Sequence, residues 1–150
     1  MNREILFKAK RIDNGGWVEG YYIYHIKRTI CPIGDSVKPE DEQHVIMQDG
    51  FSDWNMPRDT VVYEIDPDTL CQYTGLTDKN GKKIWENDIL RRDGYWDIII
   101  EFENGVFMVR NTDKVQYINR VVYTPISIFD INVYEVIGNI FDNPELLEVE

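Results

Sequence analysis

The sequence predicts a mostly-β fold, α+β by a strict count, with only a few short helical turns. Three observations lead there. Apolar and polar residues alternate with a period of two along most of the 150 residues, as strands with one buried face require. The alternating stretches are rich in Val, Ile, Tyr, Phe and Trp, whose branched or flat side chains suit a pleated surface. Gly, Asn, Asp and Pro cut these stretches at intervals, and those are the residues that turns need.

Taken in order, the strand signals begin with WVEGYYIYHIKR at 17–28, HVIMQ at 44–48 and TVVYEI at 60–65. They continue with KIWENDILRR at 83–92, WDIIIEFENGVFMVR at 96–110, KVQYINRVVYT at 114–124 and VYEVIGNIF at 133–141. PISIFDI at 125–131 and NPELLEV at 143–149 each suit one short helical turn, with Pro144 fitted to a first helical position. The loop Gly34–Glu42 and the stretch DGFSDWNMPRD at 49–59 are turn-rich and polar, apart from Phe51, Trp54 and Met56. The sequence has no internal repeat and no low-complexity linker. One domain over 1–150 is expected, and DPD at 66–68 gives a soft boundary between possible subdomains 1–65 and 66–150.

Two turns set strand register. Asn104-Gly105 supplies the two positive φ angles of a type I′ turn. Phe102 then faces Phe107, Ile100 faces Val109 and Glu101 faces Met108. Trp96, Ile98, Ile100 and Phe102 share a side with Phe107 and Val109, while Ile99, Val106 and Met108 lie on the other. Such a two-sided strand pair suggests a curled barrel, a sheet covered by other segments, or self-association into a homo-oligomer. The second turn lies in QYTGLTDKNGKKIWENDIL at 72–90. A two-residue turn on Asn80-Gly81 would set Lys79 against Lys82. A type I turn bulged at Gly81 sets Asp78 against Lys82 and Leu76 against Ile84, avoiding the like-charge pair. Gly75 would then lie opposite Trp85, giving the indole room. Asp88 is placed to accept backbone amides at the corner that follows. Gln72, Thr74, Gly75, Asp78, Gly81 and Asp88 are thus read as a structural motif.

Three blocks, REILFKAKRIDNGGWVEGYY at 3–22, YEIDPDTLCQYTGLTDKNGKKIWENDIL at 63–90 and YEVIGNIFDNPELL at 134–147, resemble the YopX family of small phage and prophage proteins. They stand in the family's order and span nearly the whole chain. The chain departs from the family where Cys71 replaces a usual Gly, and where Glu86-Asn87-Asp88 replaces a Glu-Gly-Asp corner. Asn adopts the left-handed conformation more readily than most residues, so the corner is expected to survive. The resemblance implies a mostly-β, barrel-containing fold and a phage or prophage origin. It implies no activity and carries over no functional residue.

Composition narrows the function classes. Acids outnumber bases 27 to 16 for a formal charge of −11, which repels phosphate backbones and disfavours nucleic acid for the molecule as a whole. Basic residues do gather locally, at Arg3, Lys8, Lys10 and Arg11 and across 79–92; solvated face is the plain reading of such runs. Cys31 and Cys71 have no CxxC spacing, and the charged start MNREILFKAKR leaves no apolar signal segment. A cytoplasmic protein with reduced thiols and no membrane segment is expected.

No catalytic constellation is legible. His25 and His44 lack zinc-like spacing to any Cys or His, no glycine-rich phosphate loop is present, and no metal or cofactor is expected. An enzyme is therefore disfavoured, and a protein-binding module with a host or phage partner is the leading reading. Trp54 is its first candidate residue, with Phe51 and Met56, because tryptophan is enriched where interfaces concentrate their energy. The plainer role for Trp54 is to fold down as a cap on the barrel. Two other readings stand beside it. A nucleic-acid adaptor would use Lys79, Lys82, Lys83, Arg91 and Arg92 with Tyr73 and Trp85 for stacking. An acidic mimic of DNA would use the net charge itself.

Overall fold

The computed structural model describes residues 3–112, 123–126 and 130–147. The chain divides into two compact units, Ile5–Cys71 and Gln72–Glu150 with Met1–Glu4. The division falls between Cys71 and Gln72, after the 3₁₀ turn Pro67–Thr69, which Asp66 caps by accepting the Asp68 amide at 3.0 Å. Among the described residues no helix is long and apolar enough to cross a membrane.

In the first unit β1 (Phe7–Lys10), β2 (Trp17–Ile26), β3 (Glu42–Asp49) and β4 (Thr60–Glu64) form an antiparallel meander in the order β4-β3-β2-β1. Strand β1 was not among the sequence expectations, since FKAK is too short to show a clear period. Phe7 pairs with Gly20 and Ala9 with Val18, while Tyr22 pairs with Ile46 and Ile46 with Tyr63. This register collects Ala9, Val18, Ile46 and Ile65 in one core, with Phe7, Tyr22, Tyr63 and Leu70 against it. Gly20 is fixed by space: a Cβ there would collide with the Met47 carbonyl oxygen. The polar loop after β2 is organised by Arg28, which donates to Asp41 at 2.8 Å, to both oxygens of Asp35 and to the Ser36 carbonyl.

In the second unit β5 (Cys71–Thr77) and β6 (Lys83–Trp85) form a hairpin. The strands β7 (Asp88–Arg91), β8 (Ile98–Glu103), β9 (Val106–Asn111), β10 (Tyr123–Pro125) and β11 (Glu135–Asn139) form a sheet in the order β10-β9-β8-β7-β11. Asn104 and Gly105 both take positive φ, 50° and 79°, and the pairs Phe102–Phe107, Glu101–Met108 and Ile100–Val109 form as the turn requires. Ile84, Leu90, Ile98, Ile100, Val109, Ile126, Ile131 and Tyr134 make the second core. Trp96 and Phe102 do not join it. They are about half exposed, because β8 begins at Ile98 and its far end runs past the core toward the turn.

Other expectations shift in detail. No closed barrel forms among the described residues: closure requires the terminal strands of a sheet to pair, and β10 and β11 stand at opposite ends of their order. Most of 114–124 lies outside the described residues, and only its end appears, in β10. The middle of the helical turn expected at 125–131 lies outside the described residues, at 127–129; before it Pro125 ends a strand, and after it a separate 3₁₀ turn spans Ile131–Val133. The turn expected from Pro144 forms at Pro144–Leu147.

Candidate functional site

The loop joining β3 to β4 carries the most exposed aromatic residues in its unit. Its base is closed by the Asp49–Thr60 pair and by the Gly50 amide donating to the Asp59 carbonyl. Within it the Met56 amide donates to the Asp53 carbonyl at 3.1 Å, and the Ser52 hydroxyl donates to the Met56 carbonyl at 3.1 Å. Asn55 takes φ 64° at the tip, a left-handed conformation that Asn tolerates. On this frame Phe51 is 88% exposed, Trp54 96% and Met56 62%. Trp54 stands in solvent and does not fold down as a cap. The neighbouring charges are Asp49, Asp53, Asp59 and Arg58, with Arg58 donating to Asp49 at 3.3 Å. Beside the loop, the outward face of the first sheet exposes Tyr21, Ile23 and Val62, which the register places around Met47 and Val45.

The structural motif holds together differently from its predicted register. Asp78 does oppose Lys82: its amide donates to the Lys82 carbonyl at 2.8 Å, and Gly81 takes φ 79°. The pairing then continues through Thr77–Lys83 but shifts before Tyr73–Trp85, so Gly75 does not face the indole. Gly75 is required for its φ of 86°, and a Cβ there would meet nothing within 4 Å. The bulge is stitched by the Thr74 hydroxyl, which donates to the Ile84 carbonyl at 2.7 Å and accepts the Leu76 amide at 3.2 Å.

Three carboxylates fix this region. Asp78, 4% exposed, accepts the amides of Asn80, Lys82 and Val136 at 2.8, 2.9 and 3.0 Å. Desolvation works against its charge, but the three amides and Lys82 prevail and hold its pKa below the ordinary value. Asp88 accepts the Trp85 amide at 2.8 Å, while Asn87 takes φ 71° and preserves the corner. Glu86 and Gln72 bond across the strands, with the Glu86 amide donating to the Gln72 carbonyl at 2.9 Å. Burial, with Glu101 adding to it, pushes the Glu86 carboxyl up despite the Gln72 amide.

The residues of the nucleic-acid reading are brought together without forming an open platform. Tyr73 and Trp85 are 8% and 4% exposed, with ring centroids 5.4 Å apart, so neither presents a free face to a base. Arg91 donates to both oxygens of Asp97, at 2.9 and 2.8 Å. Lys79 pairs with Glu135 at 3.5 Å and Lys83 with Glu4 at 3.8 Å. Arg92 lies 4.1 Å over the Tyr95 ring, and the amide of Lys82 belongs to the turn. The histidines are paired across strands as well: His44 Nδ1 is 2.6 Å from the Tyr22 hydroxyl, and His25 Nε2 bonds the Gln43 side chain. Sequence reasoning missed the meeting of Arg11 and Tyr63, where the guanidinium lies 4.3 Å over the ring. The isolated bridge Arg11–Ile65 brings these distant segments together, and no local pattern announces it.

Residues 13–148 match the YopX protein family. No curated protein matches. Among solved structures, the crystal structure of protein EF1440 from Enterococcus faecalis is similar at 24% identity and a TM-score of 0.49, covering 98% of this chain and 100% of that one. With the family match spanning most of its length, the chain belongs to the YopX family.

Proposed function

We propose that this chain is a phage- or prophage-borne accessory protein, acting in the cytoplasm, that recognises a host or phage protein through the loop between β3 and β4. Its work is binding and not turnover. The observation that carries this reading is Trp54 at 96% exposure beside Phe51 at 88%, on a loop braced by its own hydrogen bonds. Large apolar groups held in water forgo roughly 25 cal/mol for every Å² left uncovered. A partner that covers them recovers that free energy, and a loop already ordered has less entropy to lose on binding. Aromatic side chains so placed are the usual anchors of protein interfaces.

The test is affinity capture from phage-carrying cells, with identification of retained proteins, repeated with Trp54→Ala and Phe51→Ala. Both side chains stand outside the core, so circular dichroism and the unfolding midpoint should match wild type. Loss of Trp54 should weaken the captured complex by at least about tenfold, in the range of interface anchors. Equal retention by wild type and both variants would remove the loop from the interface.

A further inference from the structure

A pocket of about 360 Å³ opens beside β4, lined by Arg11, Ile12, Asp13, Val62, Tyr63 and Glu64. Strand β4 is the outermost of its unit's sheet. Antiparallel pairing alternates residues whose main-chain groups face the partner strand with residues whose groups face away. The Ile65 amide donates to the His44 carbonyl at 3.0 Å, so Ile65, Tyr63 and Val61 face inward by parity. Thr60, Val62 and Glu64 face outward. The Glu64 carbonyl accepts the Ile12 amide at 3.1 Å, which seals that end of the edge at the pocket. Thr60 and Val62 direct their main-chain groups away from the sheet, as an added strand would need.

The pocket's chemistry narrows what that strand carries. The Arg11 guanidinium is forked onto both oxygens of Asp13, with Nε at 2.9 Å from Oδ1, and lies over Tyr63. Its charge is thereby engaged by Asp13. Glu64 has no ion pair among the described residues. With one cation against two carboxylates, the lining is negative, while Ile12 and Val62 supply apolar walls that are 61% and 53% exposed. A long side chain with an aliphatic stem and a cationic head matches both features. An acidic peptide or a phosphate chain would meet Asp13 and Glu64 instead.

We propose that this edge takes an extended peptide segment, paired to β4 at Thr60 and Val62, whose Lys or Arg side chain enters the pocket. Its stem lies on Ile12 and Val62 and its cation bonds the Glu64 carboxylate.

The probe is an acetylated, amidated pentapeptide of alternating threonine and valine around a central lysine, titrated into the ¹⁵N-labelled full chain. The largest shifts should fall on the amides of Thr60 and Val62. Exchanging the central lysine for glutamate should weaken binding at least about tenfold, the scale of one lost charge-assisted contact. Glu64→Gln, a substitution at an exposed position, should weaken the lysine peptide and leave the glutamate peptide no weaker. Equal affinity for the two peptides, shifts centred away from β4, or no shifts at millimolar peptide would each overturn the assignment. Concentration-dependent shifts of Val62 without peptide would overturn it too, by giving the edge to a second copy of the chain. This site is separate from the Trp54 anchor, so Trp54→Ala should leave the peptide shifts unchanged. Failure of one reading is therefore visible without the other.

Discussion

At the scale of single residues, Asp78 shows how a buried charge is kept in a small hairpin. It is 4% exposed, yet its two oxygens serve three backbone amides, one of them on β11. Removing the acceptor leaves those amides without a partner, and bonds to a charged group are the stronger kind. Asp78→Ala is therefore expected to lower stability by about 2–3 kcal/mol, read from urea unfolding at pH 7. Asp78→Asn should lose less, because its Oδ1 still accepts two amides while its Nδ2 faces the third. The pH dependence follows from the depressed carboxyl. A group whose folded pKa lies below its unfolded one stabilises the fold above the unfolded value, and that contribution fades as pH falls through the folded pKa. Wild-type stability should thus decline below pH 3.8, the ordinary value for this group, and Asp78→Asn should flatten part of the decline. Asp35 and Asp41, held low first by Arg28, and Asp13, held low first by Arg11, add to it. An unchanged acid limb in Asp78→Asn would mean that the fold does not hold this carboxyl below its ordinary pKa.

At the scale of elements, the contrast between the two hairpins explains what was legible in the sequence. Asn104-Gly105 leaves one turn with little competition, and the β8–β9 register follows residue by residue. The β5–β6 hairpin contains two glycines with positive φ, Gly75 and Gly81. The sequence points to Gly81 because charged turn residues surround it. Gly75 sits inside an apolar strand pattern, where a missing side chain reads more naturally as space for Trp85 than as a backbone reversal. Only the Tyr73–Trp85 pairing reveals the bulge. Gly75→Ala separates those explanations. A Cβ at that position meets no neighbour within 4 Å, so steric crowding predicts no loss. The left-handed backbone predicts a loss of about 1–2 kcal/mol for any L side chain. Urea unfolding gives the size. A retained nuclear Overhauser contact between the Tyr73 and Trp85 rings would show that the register survives; an unaltered midpoint would refute the backbone account.

At the scale of the molecule, alternation and turn residues announce a mostly-β chain, but not how its sheets end or divide. Strand edges depend on pairings between distant segments, such as Arg11 with Ile65, so the pocket beside β4 has no local signature. Trp54 is legible for the opposite reason: an aromatic among Asp, Asn and Pro has little apolar sequence around it to bury it. The division into two units is physical in that each has its own core, Ile46 among the buried residues of one and Ile100 among those of the other. Both isoleucines are fully buried, so truncation to alanine leaves a cavity worth about 2–5 kcal/mol in either place. If each core governs the cooperativity of its own unit, calorimetry of the full chain should resolve two transitions. Ile46→Ala should lower one of them and Ile100→Ala the other, each leaving its companion within a degree or two, since the two residues belong to different cores and sites without shared partners act nearly independently. A single transition lowered alike by both substitutions would show that the two cores melt as one.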